Sequence, residues 1–467
     1  MAILWIRRDV RTQDNPALNA AIGQQSTIAV FISTPEQWRQ HDQSPLKIDL
    51  LRRHLNQYAK QLASLGIRLV HLSAKTYADQ VQVLRGFCEQ NNDDTVLANA
   101  ELELDEQRRD NAVINSGIDL QLFSGDTIVS PGEVLNKQQQ MFKVFTPFKK
   151  AWLKVVNYQG IVCDGLPSAQ LPPIDIDDAA SVITADDFGY AQQDSSAWPL
   201  SETVIERVIP LFFEHKLANY SQNRDFPSVK GTSGLSPYLA IGAISPSWLV
   251  TQLIQRDIDV LTDPSHSHFS WLNELIWRDF YKHLLVFYPN LIKGESFLAQ
   301  YRHTVWPGSD VHFKAWCEAK TGYPIVDAAM RQLNQTGWMH NRLRMVVASF
   351  LSKHLLVDWH LGERYFMQQL IDGDFSANNG GWQWAASTGC DAQPYFRIFN
   401  PLLQSKKFDP NGHFIRKYLP ELENVPDKAI HFPHDYLASQ GMSHVYVKPI
   451  VEHKQARSRA LSFYKNA

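Results

Sequence analysis

The spacing of apolar residues changes part-way along the chain, and this change constrains the fold more than any other feature. Before residue 130, short runs rich in isoleucine, valine and leucine, such as AILWIR and STIAVFIS, alternate with stretches of helical spacing such as LKIDLLRRHLNQYAKQLASLG. Strands that alternate with helices predict a parallel α/β sheet. After residue 200, apolar residues recur three and four positions apart, as in FSWLNELIWRDFYKHLLVFY, which predicts an all-helical region.

These patterns predict two domains joined by a long connection. A chain of 467 residues exceeds one ordinary domain, so we place an α/β domain at 1–130 and a helical domain at 201–467. The stretch between them, 131–200, is rich in proline, aspartate and small residues, as in GLPSAQLPPIDIDDAA. This composition predicts an extended linker.

Composition and motifs exclude several classes of protein. With 44% hydrophobic and 20% charged residues the chain is globular, and it lacks an apolar run near the ~18 residues of a membrane span. Its start, MAILWIRRDVRTQD, does not resemble a signal peptide, so we expect a cytoplasmic protein. The four cysteines form no CxxC pair, which argues against a zinc or disulfide framework. Neither GxGxxG after the first strand nor a P-loop occurs.

The segment DGDFSANNGGWQWAASTG, which begins at Asp372, is a candidate binding loop because it has neither strand nor helix periodicity. Asp372 and Asp374 accept hydrogen bonds, and Asn378 and Asn379 both donate and accept, which suits the edge of a heterocycle. Ordinary surface turns have a similar composition. Its two tryptophans argue against a plain turn, because large aromatic residues are seldom solvated.

The segment VKGTSGLSPYLAIGAIS is a candidate phosphate site. Thr232, Ser233 and Ser236 surround Gly234, and the following apolar run has helical spacing. The N–H groups and dipole at a helix N-terminus attract anions, although a simple N-cap explains the same residues.

Two helical stretches contain polar groups among apolar residues. Trp271, Glu274 and Arg278 lie on one helical face, with Trp277 beside them. A core face with a salt bridge is one interpretation; a glutamate between indoles that donates a hydrogen bond to a carbonyl is the other. The second stretch has the polar set Asn341, Arg342, Arg344 and Met345.

Two short pairs resemble metal ligands. His266 and His268 form an HxH pair, and Asp372 and Asp374 form a DxD pair. Two ligands do not make a site, and no HExxH or third carboxylate at helical spacing accompanies them. We therefore predict no metal site. Ser233 is not predicted to be a nucleophile, since GxSxG is absent.

Taken together, four segments resemble one family: WLNELIWRDFY, KTGYPIVDAAMRQLNQTGWMHNRLRMVVASFL, DGDFSANNGGWQWAASTG and YFRIFNP. The family is the class I cyclobutane pyrimidine dimer DNA photolyases of the photolyase and cryptochrome superfamily, in their bacterial folate-using form. The resemblance covers essentially the whole chain. It implies a Rossmann-like antenna domain, a long linker and a helical FAD-binding domain. The implied activity is light-dependent repair of pyrimidine dimers, by electron transfer from excited reduced FAD.

The resemblance also implies the cofactor site. FAD, active in its reduced form, would be held by Tyr220, Thr232, Ser233, Gly234, Leu235, Ser236, Trp271, Arg344, Asp372, Asp374 and Asn378. Asn378 would face flavin N5, where photolyases usually have asparagine and plant cryptochromes aspartate. Trp382, Trp359 and Trp306 match the family's electron-transfer relay, in that order from flavin to surface.

The implied substrate is a cyclobutane dimer flipped out of UV-damaged DNA. Glu274, Asn341 and Asn378 would be the catalytic residues. The DNA-binding residues would be Arg224, Glu274, Trp277, Arg278, Asn341, Arg342, Met345, Trp384 and Gln404. The related (6-4) photolyases have histidines at positions 341 and 345, so asparagine and methionine favour the cyclobutane substrate.

Methenyltetrahydrofolate is the antenna that the resemblance implies. His41, Glu106 and Lys293 match the folate site, whereas Asp105 replaces an amide of the family. A deazaflavin antenna, or none, remains an alternative.

Two other functions remain open at this stage. A cryptochrome-like photoreceptor would bind flavin without repairing DNA, but Asn378 and the absence of a long tail after PIVEHK favour repair. A DASH-type protein would prefer single-stranded DNA. We expect a monomer in the bacterial cytosol, acting at the nucleoid, with no membrane partner.

Overall fold

A computed structural model describes residues 2–24, 27–169, 172–174 and 182–466. Five strands form one sheet: β1 (Ala2–Ile6), β2 (Thr27–Ser33), β3 (Arg68–Ser73), β4 (Thr95–Asn99) and β5 (Asp119–Phe123). All neighbours are parallel, in the order β3-β2-β1-β4-β5. The order reverses between β1 and β4, as in doubly wound folds. The predicted parallel α/β sheet is confirmed.

Helices alternate with the strands and then continue alone, which confirms the predicted helical second part. The helices of the α/β part are α1 (Pro16–Ile22), α2 (Pro35–Gln40), α3 (Pro45–Ser64), α4 (Tyr77–Asn91) and α5 (Leu104–Asn115). Those that follow are α6 (Phe145–Gln159), α7 (Ser201–Thr203), α8 (Ile209–His215), α9 (Tyr220–Asn223), α10 (Ser236–Ala240), α11 (Pro246–Arg256), α12 (Phe269–Phe287), α13 (Asp310–Cys317), α14 (Pro324–Thr336), α15 (Asn341–Ser349), α16 (Trp359–Gln369), α17 (Phe375–Ala386), α18 (Pro401–Phe408), α19 (His413–Tyr418), α20 (His434–Ser439) and α21 (His453–Asn466). Short 3₁₀ turns span Leu217–Asn219, Ile258–Leu261, Pro289–Leu291, Ala299–Tyr301 and Pro420–Leu422, and π-helical turns span Val204–Val208 and Phe350–His354.

The central strands are buried on both faces, which explains their unbroken apolar runs. Every residue of β1 is buried, and in β2 only Ile28 is partly exposed. The parallel register pairs Trp5 with Val30 and Leu4 with Leu97. A sheet covered on both sides has no polar face, so strict alternation of polar and apolar residues is not required of these strands.

Two elements were not predicted from the sequence. β5 is an edge strand in which only Leu120 is buried, so its apolar signal is weak. Helix α6 lies inside the predicted linker, and its buried residues are spaced three and four apart: Phe145, Phe148, Trp152 and Val156. The extended interpretation is therefore wrong over Phe145–Gln159. The proline-rich positions 170–171 and 175–181 lie outside the described residues.

The prediction that the segment from Asp372 is a loop is also wrong in part, because residues Phe375–Ala386 form helix α17. The glycine pair does not interrupt the helix. Gly381 is exposed, and a Cβ atom there would meet nothing within 4 Å. The opposite side is buried through Ser376, Asn379 and Trp382. Packing of that side overrides the low helix propensity of glycine.

Backbone contacts divide the chain into two compact units. Unit 1 comprises Met1–Leu217, Ser233–Ile292 and Ile371–Asp374, and unit 2 comprises Ala218–Thr232, Lys293–Leu370 and Phe375–Ala467. The domain limits that we placed at residues 130 and 200 stay a prediction. Among the described residues, no helix is both long and apolar enough to cross a bilayer.

Candidate active site

A buried lysine gathers three carboxylates in unit 1. Nζ of Lys282, on α12, lies 3.1 Å from Glu103 and 3.0 Å from both Asp126 and Asp374. Lys282 is 1% exposed. Burial alone lowers its pKa, but the three carboxylates more than offset this and raise the pKa above its ordinary value. Asp374, a predicted FAD ligand, is thus held by a buried ammonium. A lysine within an apolar helical run was the signal that sequence reasoning missed, because a buried lysine needs acidic partners.

Asp372 and the hydroxyl segment meet in unit 1. Oγ of Ser236, the first residue of α10, donates a hydrogen bond of 2.6 Å to Oδ2 of Asp372. Gly234 has φ of +70°, and a Cβ atom there would meet nothing within 4 Å. The positive φ accounts for glycine at this position. Leu235 is buried, while Ser233 and Gly234 are half-buried. The predicted phosphate segment therefore has hydroxyls and an open backbone turn beside a carboxylate.

The two tryptophans of α12 have different neighbours in unit 1. Trp271 is 3% exposed and packs against Phe212 and Phe213, with both ring centroids at 5.4 Å. Trp277 stacks on Phe145 of α6, with 3.6 Å between centroids and 8° between planes. One face of the Trp277 indole is therefore covered by a residue of the stretch that we predicted to be a linker.

Glu274 and Arg278 are one turn apart on α12, and Glu274 is half-buried. Arg278 donates hydrogen bonds to the backbone carbonyl and the carboxylate of Asp126, and its side chain is 13% exposed. Burial raises the pKa of Asp126, but Lys282 and Arg278 lower it far more, so the net pKa lies well below the ordinary value. The guanidinium of Arg278 is thus engaged by Asp126.

Two predicted DNA-binding arginines share one carboxylate in unit 2. Nη2 of Arg342 lies 2.7 Å from Asp225, and Nε of Arg224 lies 4.0 Å from it. The Arg342 guanidinium also lies over the ring of Phe408, at 4.5 Å from its centroid. Nε of Arg342 and Oε1 of Gln404 are buried, and neither has a hydrogen-bond partner among the described residues. Sequence reasoning missed Asp225, although it directly follows Arg224.

The other polar residues of α15 differ in exposure. Asn341 begins the helix and is exposed, while Met345 is half-buried one turn later. The Met345 sulfur accepts a long contact of 3.8 Å from Nη1 of Arg342. Nε of Arg344 donates to the backbone carbonyl of Met339 at 2.8 Å. The predicted polar set of this helix is thus partly fixed by local bonds.

Glu363 of α16 fixes both asparagines of α17. Nδ2 of Asn378 donates to the Glu363 carbonyl at 2.9 Å, and Nδ2 of Asn379 donates to its carboxylate at 2.8 Å. Nε2 of Gln383 then donates to Oδ1 of Asn379 at 2.9 Å. These bonds orient the Asn378 amide, whose Oδ1 receives no hydrogen bond from a described residue.

The three predicted relay tryptophans all lie in unit 2 and differ in burial. Trp382 is 2% exposed and Trp359 is fully buried, whereas Trp306 is half-buried. Trp382 meets Phe366 edge-on with centroids 5.0 Å apart, and Trp359 stacks on His360. The greater exposure of Trp306 is compatible with its predicted place at the surface end, whereas burial does not order Trp382 and Trp359.

Four further predicted residues belong to unit 2. Tyr220 is buried, Thr232 and Trp384 are half-buried, and Lys293 is exposed. Their proposed roles depend on the family resemblance.

Two family models match the chain: "FAD binding domain of DNA photolyase" over residues 271–466 and "DNA photolyase" over residues 2–172. The chain is 44% identical to the deoxyribodipyrimidine photo-lyase of Vibrio cholerae, over 100% of both chains. It is 43% identical to that of Escherichia coli, over 100% of this chain and 98% of the relative. The chain belongs to the DNA photolyase family. The resemblance to the DNA photolyases stated from the sequence is confirmed.

Solved photolyase and cryptochrome structures share the fold. A bacterial class III photolyase from Agrobacterium tumefaciens matches with a TM-score of 0.79 and 33% identity, over 100% of this chain and 97% of that one. A cryptochrome from Synechocystis matches with a TM-score of 0.86 and 27% identity, over 99% of each chain. The predicted fold class is confirmed.

Three of the predicted antenna residues of this photolyase-family chain lie together in unit 1. Nε2 of His41 is 3.2 Å from Asp105, and its Nδ1 is 3.9 Å from Glu106. The Tyr77 hydroxyl donates to Glu106 at 3.0 Å. Burial, reinforced by the neighbouring Glu103 carboxylate, raises the pKa of Glu106. His41 and Glu106 line a cavity of about 70 Å³.

Proposed function

We propose that the protein is an FAD-dependent DNA photolyase that uses light to split cyclobutane pyrimidine dimers. One observation carries the proposal: the chain matches relatives named deoxyribodipyrimidine photo-lyase along its whole length, at 43–44% identity. The match to the FAD-binding domain of DNA photolyase supports the cofactor. When bound, reduced FAD supplies the photochemistry, an electron donated to the dimer on excitation and recovered after ring opening. The chain's own residues position the dimer and tune its surroundings.

The donor set fits a flavin nucleotide. The hydroxyls of Thr232, Ser233 and Ser236 and the open turn at Gly234 suit phosphate and ribityl oxygens. Asn378 suits the flavin ring, because its amide is oriented through Glu363 while its Oδ1 receives no bond from a described residue. We assign FAD binding to the set predicted above: Tyr220, Thr232, Ser233, Gly234, Leu235, Ser236, Trp271, Arg344, Asp372, Asp374 and Asn378. For Trp271 and Asp374 the contacts favour an indirect role, since both are held by other side chains.

The dimer would be bound by polar groups with aromatic neighbours. Glu274 and Asn341 would hydrogen-bond the dimer carbonyls, and Trp277, Trp384 and Met345 would form apolar walls. Trp277 suits this role because it is half-buried and its indole is held by stacking on Phe145. A damaged site costs less to flip out of the duplex than a normal pair.

Arg224, Arg342 and Gln404 would contact the DNA strand. The family resemblance supports this assignment. Nη2 of Arg342 is paired with Asp225 at 2.7 Å, so a phosphate would compete with that carboxylate for the guanidinium. Contacts to phosphates fix position and weaken with salt. For Arg278 the bonds to Asp126 favour a structural role instead.

The decisive experiment measures dimers remaining in thymine-dimer DNA after irradiation of the reduced protein, with a dark control. We expect light-dependent loss of dimers. No loss, with reduced FAD bound, would leave a cryptochrome-like sensor as the better reading. A stronger activity on single-stranded than on duplex DNA would indicate the DASH type.

Glu274→Gln and Glu274→Ala test the catalytic assignment. In Glu274→Ala we expect repair per absorbed photon to fall by about tenfold to a hundredfold while FAD stays bound, because a donor at the developing charge is lost. The fall should be smaller in Glu274→Gln, because its amide N–H still donates. Glu89→Gln, at an exposed position of α4, is the matched control. Unchanged repair in both Glu274 variants would refute the role.

We propose methenyltetrahydrofolate as the antenna, with His41, Asp105, Glu106 and Lys293 as its ligands. The clustering of His41, Asp105 and Glu106 supports a polar ring as the ligand. Mass spectrometry of the cofactors released by denaturation is the test; a deazaflavin, or flavin alone, would replace the folate assignment. A monomer in the cytoplasm remains our expectation, which size-exclusion chromatography and cell fractionation can check.

A further inference from the structure

Three metal-ligating side chains converge between helices α11 and α12 in unit 1. Oδ2 of Asp257 lies 2.7 Å from Nε2 of His266. The rings of His266 and His268 meet edge-on, with 4.7 Å between centroids. One nitrogen or oxygen from each of the three residues lies within 4.8 Å of the other two. Asp257 is therefore a third candidate ligand beside the HxH pair. The sequence did not reveal it, because Asp257 is nine residues before His266 and not at helical spacing from it.

The backbone holds these ligands in place. Asp257 caps the 3₁₀ turn through Oδ1, which accepts from the N–H of Asp259 at 3.1 Å, so Oδ2 points to His266. Asp263 accepts hydrogen bonds from the N–H and hydroxyl of Ser265, and its carbonyl accepts from the N–H of His266 at 3.0 Å. A ligand set fixed in this way needs little reorganisation to bind an ion.

His268 is held at the start of α12, where its carbonyl accepts the N–H of Trp271 at 3.0 Å. Its Nδ1 is buried and has no hydrogen-bond partner among the described residues. A simple bond between His266 and Asp257 accounts for two of the three side chains and does not account for the approach of His268 to them. Buried polar atoms without partners are uncommon and call for an explanation.

We propose that Asp257, His266 and His268 bind one divalent transition-metal ion, with zinc as the best match. Two imidazoles and a carboxylate are preferred zinc ligands, at about 2.0–2.2 Å from the ion. The ion takes the place of the hydrogen between Nε2 of His266 and Asp257, and the hydrogen moves to Nδ1 of His266. Nδ1 then gives up the hydrogen bond that it accepts from the N–H of His268. Asp257 and His266 are 28% and 21% exposed, so water can reach the ion and complete its coordination.

The proposal does not depend on the repair activity. The ion would tie the loop after α11 to the first turn of α12, the helix that carries Glu274 and Lys282. The expected consequence is a more stable loop and helix start, without a chemical step at the metal.

Zinc alone is the probe, added to the full chain after treatment with a chelator. We expect one equivalent to bind in competition with a chromophoric chelator, and Co²⁺ to give the visible absorption of a low-coordinate site. His268→Gln and His266→Gln should weaken Zn²⁺ binding by about tenfold or more, since even outer-shell changes have effects of 10–100-fold. His444→Gln, an exposed histidine elsewhere, is the control.

Asp257→Asn provides an independent check, because it keeps the shape of the side chain and its bond to the turn while removing the charge. Circular dichroism of each variant establishes that it is folded. Zn²⁺ should raise the melting temperature of the wild type and of His444→Gln, and not of the three ligand variants. Equal Zn²⁺ affinity in wild type and His268→Gln would overturn the proposal. So would a Zn²⁺ affinity that falls in His444→Gln and in none of the three ligand variants.

Discussion

The imidazole of His360 stacks on the indole of Trp359, with 3.7 Å between ring centroids and 27° between planes. Nδ1 of His360 lies 2.7 Å from the Asp358 carboxylate, and Nε2 lies 3.0 Å from the carbonyl of Gly294. Both partners are acceptors, so both ring nitrogens carry hydrogen and the imidazole is a cation. Burial lowers the pKa of His360, but the hydrogen bond and charge of Asp358 more than offset this and raise it.

This stacked cation should slow oxidation of Trp359, because a positive charge beside an indole opposes a second one. In His360→Asn we expect several-fold faster light-driven reduction of the flavin-loaded protein near pH 6. In the wild type the rate should rise with pH as His360 loses its proton, at pH values above the ordinary range for histidine, because the pKa of His360 is raised. In the variant this rise should be absent.

The measurement is flavin absorbance under blue light with an external reductant, at a series of pH values from about 6 upward. Asp358→Asn should move the wild-type rise to lower pH, because it removes the group that raises the pKa of His360. Identical pH profiles in wild type and His360→Asn would rule out control of the relay by this cation.

Gly362 allows Trp382 to lie against helix α16. A Cβ atom at this position would be 2.2 Å from Cη2 of Trp382 and 2.6 Å from Cδ2 of Leu351. We expect Gly362→Ala to destabilise the protein by about 1–3 kcal/mol, as overpacking does, and to slow flavin photoreduction by displacing the indole.

Gly86→Ala is the matched control, since a Cβ atom in that turn of α4 would meet nothing within 4 Å. It should stabilise the protein by about 0.5–1 kcal/mol through helix propensity. Urea unfolding monitored by circular dichroism gives both values. The same change in sign and size for the two variants would contradict the packing argument.

The sequence predicted those parts of the fold in which one local pattern decides the outcome. The buried run of β1 and the three-and-four spacing of α12 are such patterns. Helix α17 was misjudged because glycine at 380 and 381 disfavours a helix locally, and only the burial of Trp382 and its neighbours reverses this preference. Helix α6 was hidden by the proline-rich residues that follow it.

The site residues also differ in whether a pattern in the sequence marks them. Glu274 and Asn378 were predicted from long motifs whose meaning comes from the family, and their roles stay a prediction. The partners that hold the site were not identified: Lys282, Asp225 and Glu363 each act across a large sequence separation on a residue that no local period links to them. Asp257 was missed for the same reason, because its bond to His266 depends on the path of the loop between them.

Lys282 should be essential for the stability of unit 1. Lys282→Met would remove the cation that the buried Glu103 shares with the half-buried Asp126 and Asp374. Glu103 and Asp126 would each keep an arginine partner, Arg8 and Arg278. Loss of one partner from a buried ion pair costs about 3–5 kcal/mol. We therefore expect a loss of this order in the free energy of unfolding, together with weaker retention of FAD.

Thermal unfolding and the ratio of flavin to protein measure the two effects. Lys150→Met, on the exposed side of α6, should change stability by less than about 0.5 kcal/mol. Lys282→Arg, which keeps the charge, should retain more flavin than Lys282→Met. If the methionine variant is as stable and as rich in flavin as the control, the network does not support the site.

Lys353 should make stability depend on pH. It is fully buried, and its Nζ donates to the backbone carbonyl of Arg397 at 3.0 Å. Burial lowers its pKa from 10.5 to about 7. Between these values the unfolded chain binds a proton that the folded protein does not, so this group adds stability as pH rises from about 7 towards 10, by roughly 1.4 kcal/mol per pH unit.

Lys353→Met removes this dependence. We expect the variant to exceed the wild type in free energy of unfolding most at pH 7 and below. The difference should shrink as pH approaches 10, because the free energy needed to remove the proton from the amine on folding falls as pH nears the ordinary pKa of 10.5. Other groups titrate in the same range, so the difference between the two proteins isolates Lys353. In Lys60→Met, at an exposed position, the free energy of unfolding should change with pH as it does in the wild type. A difference between Lys353→Met and wild type that stays constant from pH 7 to 10 would mean that Lys353 keeps its ordinary pKa in the folded protein.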